Sequence, residues 1–396
     1  MRLGNNLGGV RVETIALPLL RLGRLELDTR LRALRPGLAA SDLVVTAAVE
    51  VPESESEPQY AWDVAWADAV REAEALGAGQ PTAQALASGA GKVPADGSRV
   101  VVAAHGEVLL ARWLPPGAAA SVRVGPLPHL REAAAAAARR PAYVVVLADR
   151  DDDAVIAHVA GDVRQATRYE VGARPGTQPS PHAGRPPAQH HGDRHLTGSE
   201  PLSGGERNAA FTAGRVAEAA ASVGAHIVLG VGDQHILDAV SEHLPGSLGP
   251  VTSIASGPVP TDSDEQLGAQ IAAALDEITG QAISAVGDLV ASAAAGPAPG
   301  AVRGIEAVAG QLAEQQVAVL LVAADISQDD GSDYRLGSRP TEFGAGDQVS
   351  GIPVPLEDGL VWAALHQDAI VVQLPDRSGP LDGHPAAALL RRGAAS

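Results

Sequence analysis

"HIVLGVGDQHILDAVSEHLPGSLGPVTSIAS", residues 226–256, is the stretch from which the architecture can be read. "HIVLGVG" is a short, unbroken apolar run, as in a strand buried on both faces. At Asp233 the period changes: in "DQHILDAVSEHL" the apolar residues fall three and four apart, and the aspartate supplies the short acceptor that caps a helix. "VTSIAS" then resumes a strand. Strand, capped helix and strand in succession make an α/β unit.

The alternation extends in both directions. Upstream, "AYVVVLADR", "AVIAHVAG" and "QATRYEV" read as an antiparallel meander with an acidic turn at Asp151, Asp152 and Asp153. A long segment, 172–203, crowded with Pro, Gly, His and Ser, separates this meander from a helix expected over 205–222, which Ser203 can cap. Earlier in the chain, "LVVTAAVEV" (43–51) reads as a strand, and "YAWDVAWADAVREAEAL" (60–76) as a helix with Trp62 and Trp66 four apart on a core face. "RVVVAAHG" and "EVLLARWL" form a hairpin that turns at His105-Gly106, and "LREAAAAAARRP" a helix ended by Pro141.

Downstream, "GPVPTDSD" (257–264) marks a boundary. A long helix begins near 262, capped by Thr261 or Asp262, and "GPAPG" (296–300) ends it. "VRGIEAVAGQLAEQQ" is a helix leading into a buried strand, "VAVLLVAADI". The Gly/Asp-rich stretch 327–353 reads as a mobile loop, "AIVVQLPD" as a late strand, and "GHPAAALLRR" as a final short helix. No repeat of 20–50 residues is present. The fold class expected is α/β, in the mixed α+β sense: three units in series, with boundaries near 140 and 257.

Composition bounds the function. The chain of 396 residues is long enough for two or three cores, which 3% aromatic content obliges Ala, Val, Leu and Ile to fill. Without cysteine there is no disulfide framework, thiolate metal site or cysteine nucleophile, and an intracellular, reducing compartment fits. The N-terminal apolar run, broken by Arg21 and Arg24, is a poor signal peptide. No stretch approaches the roughly 20 apolar residues of a membrane span, so the expectation is a soluble, cytoplasmic protein with no membrane partner. A net charge of −18 argues against indiscriminate nucleic-acid binding, DNA included. The charge is uneven, however. Between Arg164 and Arg215 stand seven arginines against four acids, with four histidines.

Phosphate-cradling motifs fail. In "SGAGKV" (88–93) Leu86 stands where a P-loop needs its first glycine, and Val93 where it needs Ser or Thr. "GVGDQH" (230–235) puts His235 at the third glycine of the dinucleotide fingerprint. A Gly-x-Ser-x-Gly elbow is absent from the sequence. No cofactor is expected. The unusual stretch is "PAQHHGDRHLTGSEPLSGGERNAAF" (187–211). His191 and His195 are four apart, as in helical zinc motifs, but Pro186, Pro187, Gly192 and Gly198 oppose the helix that such spacing needs. An exposed, solvated loop is a second reading. A third is an RNA-probing finger, because arginine offers a planar fork to phosphate and histidine a ring that stacks on bases.

The order of features carries a resemblance. "RRPAYVVVLADRDDDAVIAHVAG" (139–161), "RVAEAAASVGAHIVLGVGDQHILDAVSEHLP" (215–245), "VRGIEAVAGQLAEQQVAVLLVA" (302–323) and "GPLDGHPAAALLRR" (379–392) resemble the bacterial branch of the archaeal/eukaryotic class-1 peptide release factors. Within that branch they are similar to an actinobacterial, dormancy-associated group related to the ribosome hibernation factor Balon. The resemblance covers about residues 28–396. It implies an N-terminal domain over 28–140 near the decoding centre, a middle domain over 141–257 near the peptidyl-transferase centre, and a C-terminal domain over 258–396 toward elongation factor Tu. Residues 1–27 have no counterpart and are expected to be an extension, with the true start possible downstream.

Release factors carry Gly-Gly-Gln before the long helix of the middle domain; here Gly204-Gly205-Glu206 stands in that place. A glutamate lacks the amide donor, and at a helix start it also complements the dipole. The resemblance therefore implies a protein that occupies the vacant A site of the 70S ribosome and blocks translation during dormancy or stress without catalysis. His190, His191, Gly192, Arg194 and His195 would form its RNA-binding finger, supported by Arg207. Two alternatives stay open: a peptidyl-tRNA hydrolase or rescue release factor that uses the same loop, and a stress-signalling protein that binds only protein.

Overall fold

The structure is a computed structural model that describes residues 25, 27–39, 41–52, 57–92, 97–114, 120–148, 153–158, 166–170, 204–256, 264–294, 300–326 and 333–391. It is a mixed α/β protein in two compact units. One unit comprises the described residues up to Pro141 together with those from Ala273 onward, and the other Ala142–His158 with Ala166–Ala272.

The first unit opens with a short helix, α1 (Thr29–Ala33), whose N-terminus is capped by the Asp28 carboxylate. Four antiparallel strands follow, β1 (Val44–Glu50), β2 (Ser98–Ala104), β3 (Glu107–Leu114) and β4 (Ser121–Gly125), in the order β3-β2-β1-β4. The β2–β3 hairpin turns on His105 (φ 52) and Gly106 (φ 79), the paired left-handed residues of a two-residue hairpin turn. Between β1 and β2 run α2 (Pro58–Ala75) and α3 (Gln80–Ser88). Trp62 and Trp66 of α2 face the core as expected, with ring centroids 5.4 Å apart, and Trp113 of β3 lies 5.3 Å from Trp62. The Trp66 indole N–H donates to the Leu86 carbonyl at 3.1 Å, which removes the cost of burying it. The alanine-rich helix, α4 (Arg131–Arg139), closes this part of the chain.

The second unit is built on a five-stranded sheet. β5 (Tyr143–Ala148), β6 (Asp153–His158) and β7 (Ala166–Glu170) form the expected antiparallel meander, and β8 (Ile227–Gly232) and β9 (Val251–Ser256) continue the sheet parallel to β5, in the order β7-β6-β5-β8-β9. Two helices connect them, α5 (Gly204–Val223) and α6 (Gln234–His243). Asp233 caps α6 as the sequence predicts, accepting from the His235 N–H at 2.9 Å. The glycines of "GVGDQH" serve packing. A Cβ on Gly230 would meet Leu237 of α6 at 2.8 Å, and one on Gly232 (φ +123) would stand 1.9 Å from the Ala148 carbonyl oxygen.

A long helix, α7 (Asp264–Ala294), leads back to the first unit; its expected caps, Thr261 and Asp262, lie outside the described residues, as does Ser203. There β10 (Ala301–Arg303), β11 (Val317–Ala323), β15 (Ile370–Leu374) and β16 (Ala386–Leu390) form a mixed sheet in the order β10-β16-β11-β15, with α8 (Ile305–Ala313) ahead of β11. Two expectations fail here. The stretch 327–353, read as a mobile loop, contains β12 (Tyr334–Leu336), β13 (Phe343–Ala345) and β14 (Ile352–Pro353), a small sheet whose Tyr334 and Phe343 rings stack 5.5 Å apart. "GHPAAALLRR", read as a helix on its alanines, is the strand β16. Ala386 and Ala388 face one core and Ala387 and Leu389 another, so burial on both sides overrides the high intrinsic helix propensity of alanine. The sequence also contains an unread helix, α9 (Leu356–His366), buried along ten consecutive residues.

One apolar cluster runs through the first unit, joining Val44, Val102 and Leu130 to Leu312, Leu320, Leu360 and Trp362. Among the described residues, no helix is long and apolar enough to cross a membrane. Gly232→Ala is expected to destabilise the second unit by about 2–4 kcal/mol, since the methyl group meets a carbonyl that the β5–β8 pairing holds in place and the φ is strained. Thermal unfolding followed by circular dichroism reads this, with Gly246→Ala, whose added Cβ meets nothing within 4 Å, as the control.

Candidate functional site

Four strands of the second unit end on one edge of its sheet. β7 runs in the same direction as β5, β8 and β9, because two antiparallel steps separate it from β5. Its last residue, Glu170, is therefore at the carboxyl edge of the sheet, with Ala148, Gly232 and Ser256. α5 packs on β5 and β6 and ends just before β8, so its first residue, Gly204, returns to the same edge. A helix of 20 residues spans about 30 Å, against about 20 Å for the six-residue strands beneath it. Its first turn, Gly204–Arg207, is thus at the amino end of the helix that packs on β5 and β6. Ligands of open α/β sheets bind outside the carboxyl ends of the strands.

Residues 171–203, which join β7 to α5, leave and re-enter at this edge. The sequence-predicted site residues His190, His191, Gly192, Arg194 and His195 belong to that segment and lie outside the described residues. Arg207 and the Gly204-Gly205-Glu206 triplet fall in the first turn of α5, where the backbone alone is described. The helix expected over 205–222 is thus present, one residue longer at each end. Further along α5, Phe211 is exposed, and Ala209, Thr212, Ala213 and Val216 are buried. Gln234 and His235 of α6 add exposed polar groups to the same edge.

The first unit holds a polar cluster that sequence reasoning missed. His129, just before α4, donates its backbone N–H to the Thr46 hydroxyl of β1 at 3.0 Å. Its Nδ1 lies 2.6 Å from Oδ1 of Asp358 and 3.6 Å from Oε1 of Glu357, both in the first turn of α9. Its Nε2 is 2.8 Å from Oε2 of Glu132, an ion-pair contact off the line of a hydrogen bond. Glu357 is paired with two guanidiniums, Arg131 at 2.9 Å and Arg123 at 3.2 Å, again as ion pairs without hydrogen-bond alignment. Arg131 also donates to the Ala324 carbonyl at 3.1 Å.

Burial alone would lower the His129 pKa, but the Asp358 hydrogen bond and the negative charges of Asp358 and Glu132 outweigh it and raise it to about 9. Glu132 is driven the other way: burial raises it, and the His129 and Arg131 charges bring it down to about 2. Burial raises Glu357 despite its cationic neighbours. The signal was in the sequence. "PVPLEDGLVWAALH" (353–366) sets two adjacent acids in an otherwise apolar run after a proline, which is unfavourable inside a core unless cations meet them.

Residues 142–295 match the model of bacterial archaeo-eukaryotic release factor family 2, a range that begins with β5 and ends with α7. No curated protein matches the chain. Among solved structures, Pelota of Archaeoglobus fulgidus is 12% identical with a TM-score of 0.30, covering 95% of this chain and 91% of that one. A ribosome-bound archaeal Pelota in a complex with ABCE1 is 12% identical, with a TM-score of 0.38 over 96% of this chain and 94% of that one. The archaeal translation termination factor aRF1 is 12% identical at a TM-score of 0.20, covering 95% of this chain and 98% of that one. The stretch from β5 to α7 is thus similar to a release-factor family.

Proposed function

We propose that the protein binds the 70S ribosome and occupies its vacant A site, blocking translation in dormancy or stress without catalysing a reaction. The observation that carries this reading is the match of residues 142–295 to a release-factor family together with the sheet edge to which 171–203 is attached. In this reading residues 28–140 face the decoding centre, 141–257 carry His190, His191, Gly192, Arg194 and His195 to the rRNA of the peptidyl-transferase centre, and 258–396 face elongation factor Tu. Arg207 braces the finger from the first turn of α5. The acidic body disfavours stray RNA, so phosphate contacts come from the local arginines. Glu206 holds the place of the glutamine of release factors. As an anion without an amide donor it cannot orient water as that group does, which favours occupancy over hydrolysis.

The protein is expected to co-sediment with empty 70S ribosomes, with binding that weakens as salt rises. Replacing Arg194 and the three loop histidines together by alanine is expected to weaken that binding by about tenfold or more, the loss of one or two charge-assisted contacts. Absence from the ribosome peak at low salt would overturn the proposal.

A second measurement separates occupancy from hydrolysis. Labelled peptide on ribosome-bound peptidyl-tRNA is expected to stay attached when the protein is added. Release that disappears in Glu206→Ala would identify a hydrolase.

A further inference from the structure

We propose that the first unit is latched by a bound proton: the imidazolium of His129, held between Asp358 of α9 and Glu132 of α4, is the cation that allows the Glu357 and Asp358 carboxylates to stay inside the core and ties the segment after β4 to α9. The charges account for this. Glu132, Glu357 and Asp358 bring three negative charges; Arg131, Arg123 and protonated His129 bring three positive ones. The side chains of His129, Glu357 and Asp358 are 3%, 2% and 7% exposed, so these three groups are the dry part of the cluster, while Glu132 and Arg123 border on solvent. Loss of the proton leaves an uncompensated negative charge in a dry site, which is strongly unfavourable.

Four elements contribute polar groups to the cluster around His129. α9 presents Asp358 and Glu357, α4 presents Glu132 and Arg131, β4 presents Arg123 to Glu357, and β1 offers the uncharged Thr46 hydroxyl. His129, Glu357 and Asp358 also have the donor types of a divalent-metal site, with ligand atoms within 4.8 Å of one another. The geometry favours the proton. Nδ1 and Oδ1 are 2.6 Å apart, a hydrogen-bonded distance, whereas two ligands of one zinc ion at about 2.1 Å stand roughly 3 Å or more from each other. Two guanidiniums already neutralise Glu357.

The direction of the linkage follows. The imidazole pKa is raised from 6.5 to about 9, so its contribution to stability is complete below 6.5 and is lost as pH rises through about 9. Glu132, lowered from 4.5 to about 2, adds stability that is present above 4.5 and lost as pH falls through 2. The carboxylate of Glu357, raised by burial, works against the ionised cluster. The latch is therefore closed from mildly acidic to neutral pH and opens in alkali.

All four tryptophans, Trp62, Trp66, Trp113 and Trp362, belong to the first unit, so their fluorescence reports its unfolding selectively. Denaturant titrations of the full chain between pH 6 and 10 are expected to show the folding constant of the wild type falling by on the order of a hundredfold across that range. His129→Gln, without a titratable cation, is expected to be less stable at pH 6.5 and to lack this part of the pH dependence. Equal pH profiles for the two proteins would overturn the proposal, as would stabilisation of the wild type by added Zn²⁺ relative to EDTA. Should His129→Gln not fold, ¹⁵N imidazole spectra of the wild type decide. One histidine protonated on both nitrogens up to pH 8 supports the latch, and its absence refutes it.

Discussion

The close approach of backbone to backbone organises this protein. With aromatic residues at 3% of the chain, bulk cannot fill the space between layers, so the layers move together. At the centre of the second unit the Cα of Gly232 sits against the Ala148 carbonyl, and the Asp233 N–H donates to that same oxygen at 3.1 Å. This contact seals the β5–β8 pairing at the edge where α6 begins. The first unit repeats the solution. Alanines 386–388 form the middle of a sheet covered on both faces, and Gly359 leaves room for Phe343, to which an added Cβ would come within 2.2 Å.

That economy of bulk explains which parts of the fold were legible. The strand–helix–strand of 226–256 was read correctly because its signals are local: an apolar run, a change of period, an aspartate at the cap. The hairpin at His105-Gly106 and the alanine-rich α4 were equally local. "GHPAAALLRR" was not, since alanine favours a helix by intrinsic propensity and only partners far along the chain, β10 and β11, make it a strand. The small strands within 327–353 are of two or three residues, too short for a period to show.

The candidate site divides along the same line. Arg207 and the glycine pair lie in the first turn of α5, a position legible because the helix signal surrounds them. His129 and Glu357 escape notice because they are distant in sequence: the adjacent acids of 353–366 signal buried charge but not the partner that meets it. Only the fold shows that α9 brings acids to a histidine flanked by arginine and glutamate. Charges that look like ordinary surface residues thus turn out to lie inside, balanced one against another.

The edge that receives both ends of 171–203 has a consequence for how such a protein changes over generations. An insertion anchored twice on one edge of a sheet can be lengthened or shortened without disturbing the strands. The entropy of closing a chain between two fixed points grows slowly, by about 0.6 kcal/mol for each doubling of its length. The length of the chain between Glu170 and Gly204 is therefore adjustable almost independently of the stability of the body that carries it. Selection can retune a contact there while Gly232 and its neighbours stay as they are.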